Sequence, residues 1–145
     1  MKKAIIIICF PLLFFTLSQP SFAQCDEEEK KRLCIEQLAD GFTFIKSYVL
    51  ESDKANENGE IEYSFVFSKG TVYMLTFVDS KGKPQDVEIT LYDPERNKLA
   101  SNFKEETNSY IPLGYQCSTT GVHYMTFKFK NEEIDCGVSV LGFKR

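Results

Sequence analysis

Asp86-Val87-Glu88-Ile89-Thr90-Leu91-Tyr92-Asp93-Pro94-Glu95-Arg96-Asn97-Lys98-Leu99-Ala100 is the stretch that decides the fold. Val87, Ile89 and Leu91 alternate with Glu88, Thr90 and Tyr92, the period-two pattern of a half-buried strand. Asp93-Pro94 then opens a tight turn. Aspartate can hydrogen-bond the backbone just ahead of it, and proline presets φ for the next position. Asn97 is expected to take the left-handed conformation that closes the turn. Lys98-Leu99-Ala100 starts a second strand.

The same alternation recurs on both sides of this hairpin. Ile61, Tyr63, Phe65 and Phe67 alternate with Glu62, Ser64 and Val66, and Tyr73, Leu75 and Phe77 with Met74, Thr76 and Val78. His123, Met125, Phe127 and Phe129 share one face of a later strand, with Val122, Tyr124, Thr126 and Lys128 on the other. Residues 42–50 are aromatic and β-branched enough for a strand, although their alternation is imperfect. Tyr110-Ile111-Pro112-Leu113 reads as an edge strand interrupted by its proline. Cys136, Val138 and Val140 are expected to point inward on the last strand. Polar turns separate these segments, Asn58-Gly59 and Lys69-Gly70 among them.

One helix is expected, over residues 26–41. Acids fill its first turn and bases follow, the order that the helix dipole prefers. Glu27–Lys31 and Glu28–Arg32 are spaced to pair, Cys34, Ile35 and Leu38 make its buried stripe, and Gly41 suits its C-terminal cap. Seven or eight short strands with one N-terminal helix define an all-β fold, an antiparallel β-sandwich with the helix packed on it.

The start of the chain has a different character. Lys2 and Lys3 precede the apolar run from Ala4 to Phe15, and Ser21-Phe22-Ala23 places small residues at −3 and −1 of a cleavage site. Residues 1–23 therefore read as a secretory signal peptide, with an apolar core too short for a membrane anchor. Residues 24–41 then form the helical segment and 42–145 the sandwich. The exported chain is periplasmic or extracellular. Lipoprotein anchoring at Cys25 is the minor alternative, disfavoured because Gln24 precedes it and because lipidation would leave an odd number of cysteines. Loss of Lys2 and Lys3 from the 17 basic residues leaves 15 against 21 acidic ones, a net charge of −6. With no basic cluster, nucleic acid is not an expected partner.

Three segments together resemble the bacterial pre-peptidase C-terminal domain family. Tyr63-Ser64-Phe65-Val66-Phe67 followed by Gly70 and Tyr73-Met74-Leu75 is similar to its opening. Asp86-Val87-Glu88-Ile89-Thr90-Leu91-Tyr92-Asp93 is similar to its D-x-D-L-x-L-Y-D strand. Thr120-Gly121-Val122-His123-Tyr124-Met125-Thr126-Phe127 is similar to its small-G-T-Y-Y-hydrophobic strand. The resemblance spans roughly residues 48 to 143. It implies a small jelly-roll-like sandwich of the kind attached to secreted hydrolases as an accessory or binding module. Glu88 stands where the family has a second aspartate, and His123 where it has its first tyrosine. The N-terminal helix and the cysteines are also outside the family pattern.

Four cysteines remain after the signal, Cys25, Cys34, Cys117 and Cys136, and in an exported domain they are expected to form two disulfides. Cys25 and Cys34 lie about 13 Å apart along a continuous helix, beyond the ~7 Å that a bond allows between Cα atoms. Each helix cysteine is thus expected to pair with one on the sandwich. His123, the only histidine, is a candidate base or ligand-binding group, set against the plainer role of a core-facing ring bonded to backbone. Tyr92 and Tyr124, with Tyr48, are expected to face outward and to offer stacking surfaces for a ligand. Asp86, Glu88 and Asp93 are the candidate calcium ligands, set against a solvated sheet face; no other cofactor is expected.

These features point to an exported non-catalytic module that recognises a polysaccharide or a protein partner at the cell envelope. The second reading is a structural protein that assembles through an edge strand. The third is a hydrolase whose site gathers around His123.

Overall fold

The computed structural model describes residues 25–145, so the segment expected to be a signal peptide, residues 1–23, lies outside the described residues. The chain runs α1 (Glu27–Glu36), β1 (Thr43–Glu51), a 3₁₀ turn (Ser52–Lys54), β2 (Ile61–Phe67), β3 (Val72–Asp79), β4 (Val87–Tyr92), β5 (Lys98–Ser101), β6 (Phe103–Lys104), β7 (Ser109–Tyr110), β8 (Leu113–Gln116), β9 (Gly121–Phe129) and β10 (Cys136–Lys144). Two four-stranded antiparallel sheets result. Sheet A has the order β1-β10-β3-β8 and sheet B the order β2-β9-β4-β5, with β6 and β7 forming a short separate hairpin. The chain crosses repeatedly from one sheet to the other, the winding of a jelly roll. Among the described residues, no helix is long and apolar enough to cross a membrane.

The alternating strands bury their apolar sides between the sheets. Phe67, Phe77, Ile89, Leu91, Met125, Phe127 and Leu141 fill this core and are almost wholly buried. Ile89 lies opposite Phe127, and Leu91 opposite Met125, so the β4 pattern matches that of its neighbour β9. β5 returns beside β4 with Ala100 opposite Leu91. The turn between them places its positive φ at Arg96 (+68°) and not at Asn97. Asn97 is held elsewhere, its backbone N–H and side-chain amide both donating to the Asp93 carboxylate at 2.7 and 2.8 Å.

Sheet A is covered on its outer side as well. α1 packs across β10 and β3, burying Cys34 against Val78, Val138 and Val140. Cys136, Val138 and Val140 therefore face the helix and not the inter-sheet core. β10 is buried on both faces, which explains its unbroken apolar stretch. The Thr76 hydroxyl donates to the Cys34 carbonyl (2.8 Å) and the Cys34 thiol to the Val138 carbonyl (3.2 Å), so the helix is bonded to the sheet as well as packed on it.

The helix is shorter than its composition suggests. It begins at the Asp26 cap, whose side chain accepts from the Glu29 N–H, and ends at Glu36. Beyond it, Leu38 turns toward Gly142, where a Cβ would lie 2.8 Å from Leu38 Cδ2. Lys30 and Cys34 are the buried helical residues, whereas Ile35 is exposed. The ion pairs are Glu28–Lys31 and Arg32–Glu36, in place of Glu27–Lys31 and Glu28–Arg32.

Two further departures have physical causes. A register shift between Phe44 and Lys46 interrupts the alternation of β1. Tyr48 consequently points inward, only 2 % exposed, its ring 4.8 Å from that of Tyr63. Sheet B, in turn, is finished by a side chain. Asn102, fully buried, accepts from the Ile89 N–H at 2.7 Å and donates to the Val87 carbonyl at 2.9 Å, satisfying strand groups beyond the end of β5.

Of the four cysteines, Cys25 and Cys136 are joined, their Cα atoms 6.1 Å apart across 111 residues of sequence. This bond ties the start of α1 to the first residue of β10. Cys34 and Cys117 are free and buried, which corrects the expectation of a second disulfide. Cys34 sits beneath the helix and Cys117 in the inter-sheet core, so sheet A stands between them.

Candidate functional site

The β4–β5 turn, β8, the loop after it and the start of β9 meet at one end of the sandwich around an open cleft of about 560 Å³. Asp93, Pro94 and Glu95 form one wall, Ser118, Thr119 and Thr120 another, while Tyr115, His123 and Tyr124 contribute rings. Gly121 lets the turn close onto β9, since a Cβ there would lie 2.9 Å from Pro94 Cγ.

The walls are fixed by local hydrogen bonds. Those from Asn97 hold the Asp93 carboxyl below the usual aspartate range. The Thr120 hydroxyl accepts from the Lys69 N–H at 2.9 Å, and the Cys117 thiol donates to the Thr119 carbonyl at 3.1 Å. The Gly70 N–H donates to the Cys117 carbonyl and the Cys117 N–H to the Thr71 carbonyl, at 2.8 and 2.9 Å. The β2–β3 turn thereby straps the loop before β9. A smaller hollow of about 370 Å³, lined by Lys69, Gly70, Gln116, Cys117 and Ser118, adjoins the cleft at Ser118.

His123 is 1 % exposed. Its ring stacks on Phe67 at 4.8 Å, and Phe67 stacks on Tyr73 at 3.9 Å, while Tyr115 leans against both, 5.9 Å from the imidazole and 6.3 Å from Phe67. Nδ1 lies 3.0 Å from the Gly121 carbonyl. A carbonyl only accepts, so Nδ1–H is the donor in this contact. Among the described residues, no hydroxyl or thiol is hydrogen-bonded to this ring.

The structure brings His123, Tyr124 and Asp93 together and separates the other sequence candidates from them. Tyr124 lies on the outer side of sheet B, opposite Tyr92. The Arg96 guanidinium sits 3.5 Å over its ring and makes a two-pronged ion pair with Glu62, leaving Tyr124 less free to stack than the sequence suggested. Tyr92 is half-buried beside it and does not line the cleft. The calcium set is also split. Asp86 and Glu88 lie at the far end of β4 from Asp93, about 16 Å away along the strand for Glu88. Glu88 is paired with Lys130 at 3.0 Å, and among the described residues no group of three metal-binding side chains occurs.

Glu95, Tyr115 and the hydroxyls of Ser118, Thr119 and Thr120 are cleft residues absent from the sequence candidates. The hydroxyl run before Gly121 offered a local signal. Tyr115 offered none, since only the strand order brings β8 beside the β4–β5 turn. Chemically, the cleft presents two carboxylates, three hydroxyls and aromatic surface, with no lysine or arginine in its lining. Such a surface suits hydrogen-bonding neutral or cationic groups and repels anions. No protein-family model matches the chain, and no curated protein matches it either.

Proposed function

We propose that this protein is an exported, non-catalytic binding module of the bacterial envelope, and that the cleft receives a neutral or cationic segment of a polysaccharide or protein. The observation that carries this reading is the cleft itself, a preformed hollow of about 560 Å³ in which carboxylates, hydroxyls and tyrosines converge. The resemblance to pre-peptidase C-terminal domains supports an accessory role. The Cys25–Cys136 disulfide suits an oxidising compartment, periplasmic or extracellular.

A thermal-melt screen of the oxidised protein against polysaccharides, basic peptides and acidic peptides tests the proposal. A ligand that prefers the folded state must raise the melting temperature by mass action. The expected result is a rise with a neutral or basic class that Glu95→Lys and Tyr115→Ala reduce. A rise that survives both substitutions places binding elsewhere, and a preference for acidic peptides contradicts the charge argument.

A further inference from the structure

The four sheet edges are not protected alike. β1 carries a register shift and Lys46. β5 is a four-residue strand with a register shift, and β8 is equally short, begins just after Pro112 and contains Gly114. Such features blunt an edge against pairing with another chain. β2 has none of them. Its seven residues, Ile61-Glu62-Tyr63-Ser64-Phe65-Val66-Phe67, keep unbroken register with β9 and include no proline, glycine or lysine. Among the described residues no strand covers its other side. High β-propensity and a single charge make it a ready template for one more strand. Val66 is 57 % exposed on its outer face, opposite the exposed Val122 of β9.

We infer that β2 pairs antiparallel with β2 of a second copy, joining sheet B of each into one continuous sheet. The occupant follows from the self-complementarity of the strand. Full overlap of the seven residues makes the most ladder hydrogen bonds and places the two-fold axis at Ser64. Ile61 then lies opposite Phe67 of the second copy, Tyr63 opposite Phe65, and Ser64 opposite itself. Glu62, the one charge on the strand, meets Val66 of the second copy and never another Glu62. Apolar and aromatic cross-strand pairs of this kind stabilise a sheet, whereas facing like charges would oppose it. The net charge of −6 on each exported chain works against association, so added salt strengthens it.

Sedimentation velocity on the exported form, residues 24–145, tests the inference. The expected result is a concentration-dependent dimer that tightens with salt. Ser64→Cys should cross-link to itself on mild oxidation, and Val66→Cys should not, because Val66 faces Glu62 of the other copy. Ser64→Lys should weaken the dimer about fivefold by placing like charges face to face. The reduced Ser64→Cys protein, nearly isosteric with the parent, should remain folded and dimeric. A monomer at every soluble concentration overturns the inference. A dimer indifferent to Ser64→Lys and unlinked by Ser64→Cys overturns it equally, and leaves β2 to a strand from a different protein.

Discussion

The outer faces of the two sheets have opposite fates. Sheet A lies under α1, with Val78, Val138 and Val140 buried against Cys34. Sheet B turns Glu62, Ser64, Val66, Val122 and Tyr124 outward, and α1 makes no extensive contact with it. The covered face is where the chain invests covalent and hydrogen-bonded fastening, namely the Cys25–Cys136 bond, Thr76 to Cys34, and Cys34 to Val138. The open face and its adjoining end hold the cleft and the unguarded strand. The fastening and the cleft thus occupy different sides of one sandwich.

The largest effect should come from unfastening the covered side. Replacing Cys25 and Cys136 by serine should lower unfolding stability by about 4 kcal/mol in a denaturant titration, because the bond closes a very long loop. Burial pushes the Cys34 thiol up to about 12, so it stays protonated at neutral pH. A thiol count should accordingly find none reactive in the native protein and two once it is unfolded. A reactive Cys34 in the folded state would show that sheet A is less well covered than its packing implies.

The next effect belongs to sheet B. Asn102→Ala leaves the Ile89 N–H and the Val87 carbonyl without their buried partners. Thermal unfolding should show a loss of about 3 kcal/mol, with cleft binding weakened less than stability. Asn102→Asp should rescue part of it, keeping the acceptor for Ile89.

The smallest effect is at the cleft rim. The folded state depresses the Asp93 value, chiefly through Asn97. The stability that this cap adds is therefore complete above the ordinary aspartate value of about 3.9 and is lost as pH falls below it, through the depressed folded value. Asp93→Asn should flatten that acid-range slope and lower stability slightly near neutrality, where the contribution of the carboxylate is complete. An unaltered slope would show that the turn does not depend on the carboxylate.

The same contrast governs what could be read from the sequence. Strands with one wet face, β2, β4 and β9, announce themselves by clean alternation, and their inward residues lie where the pattern puts them. β10 is misread because a strand buried on both faces has no polar side to set its phase. Tyr48 is misread because one irregularity, between Phe44 and Lys46, upsets the alternation of β1. Cys34 and Cys117 looked pairable on parity, which takes no account of the sheet between them. His123 and Asp93 were legible as residues of interest. Glu95 and Tyr115 were not, since the cleft is assembled by crossings between sheets that no local window contains.

Hydrogen–deuterium exchange with and without the ligand from the melt screen tests the division of labour most directly. Added protection confined to residues 93–96 and 115–124, with α1 and β10 unchanged, is the expected result. Protection centred on α1 and the outer face of sheet A would contradict it, and would make the covered side the binding side.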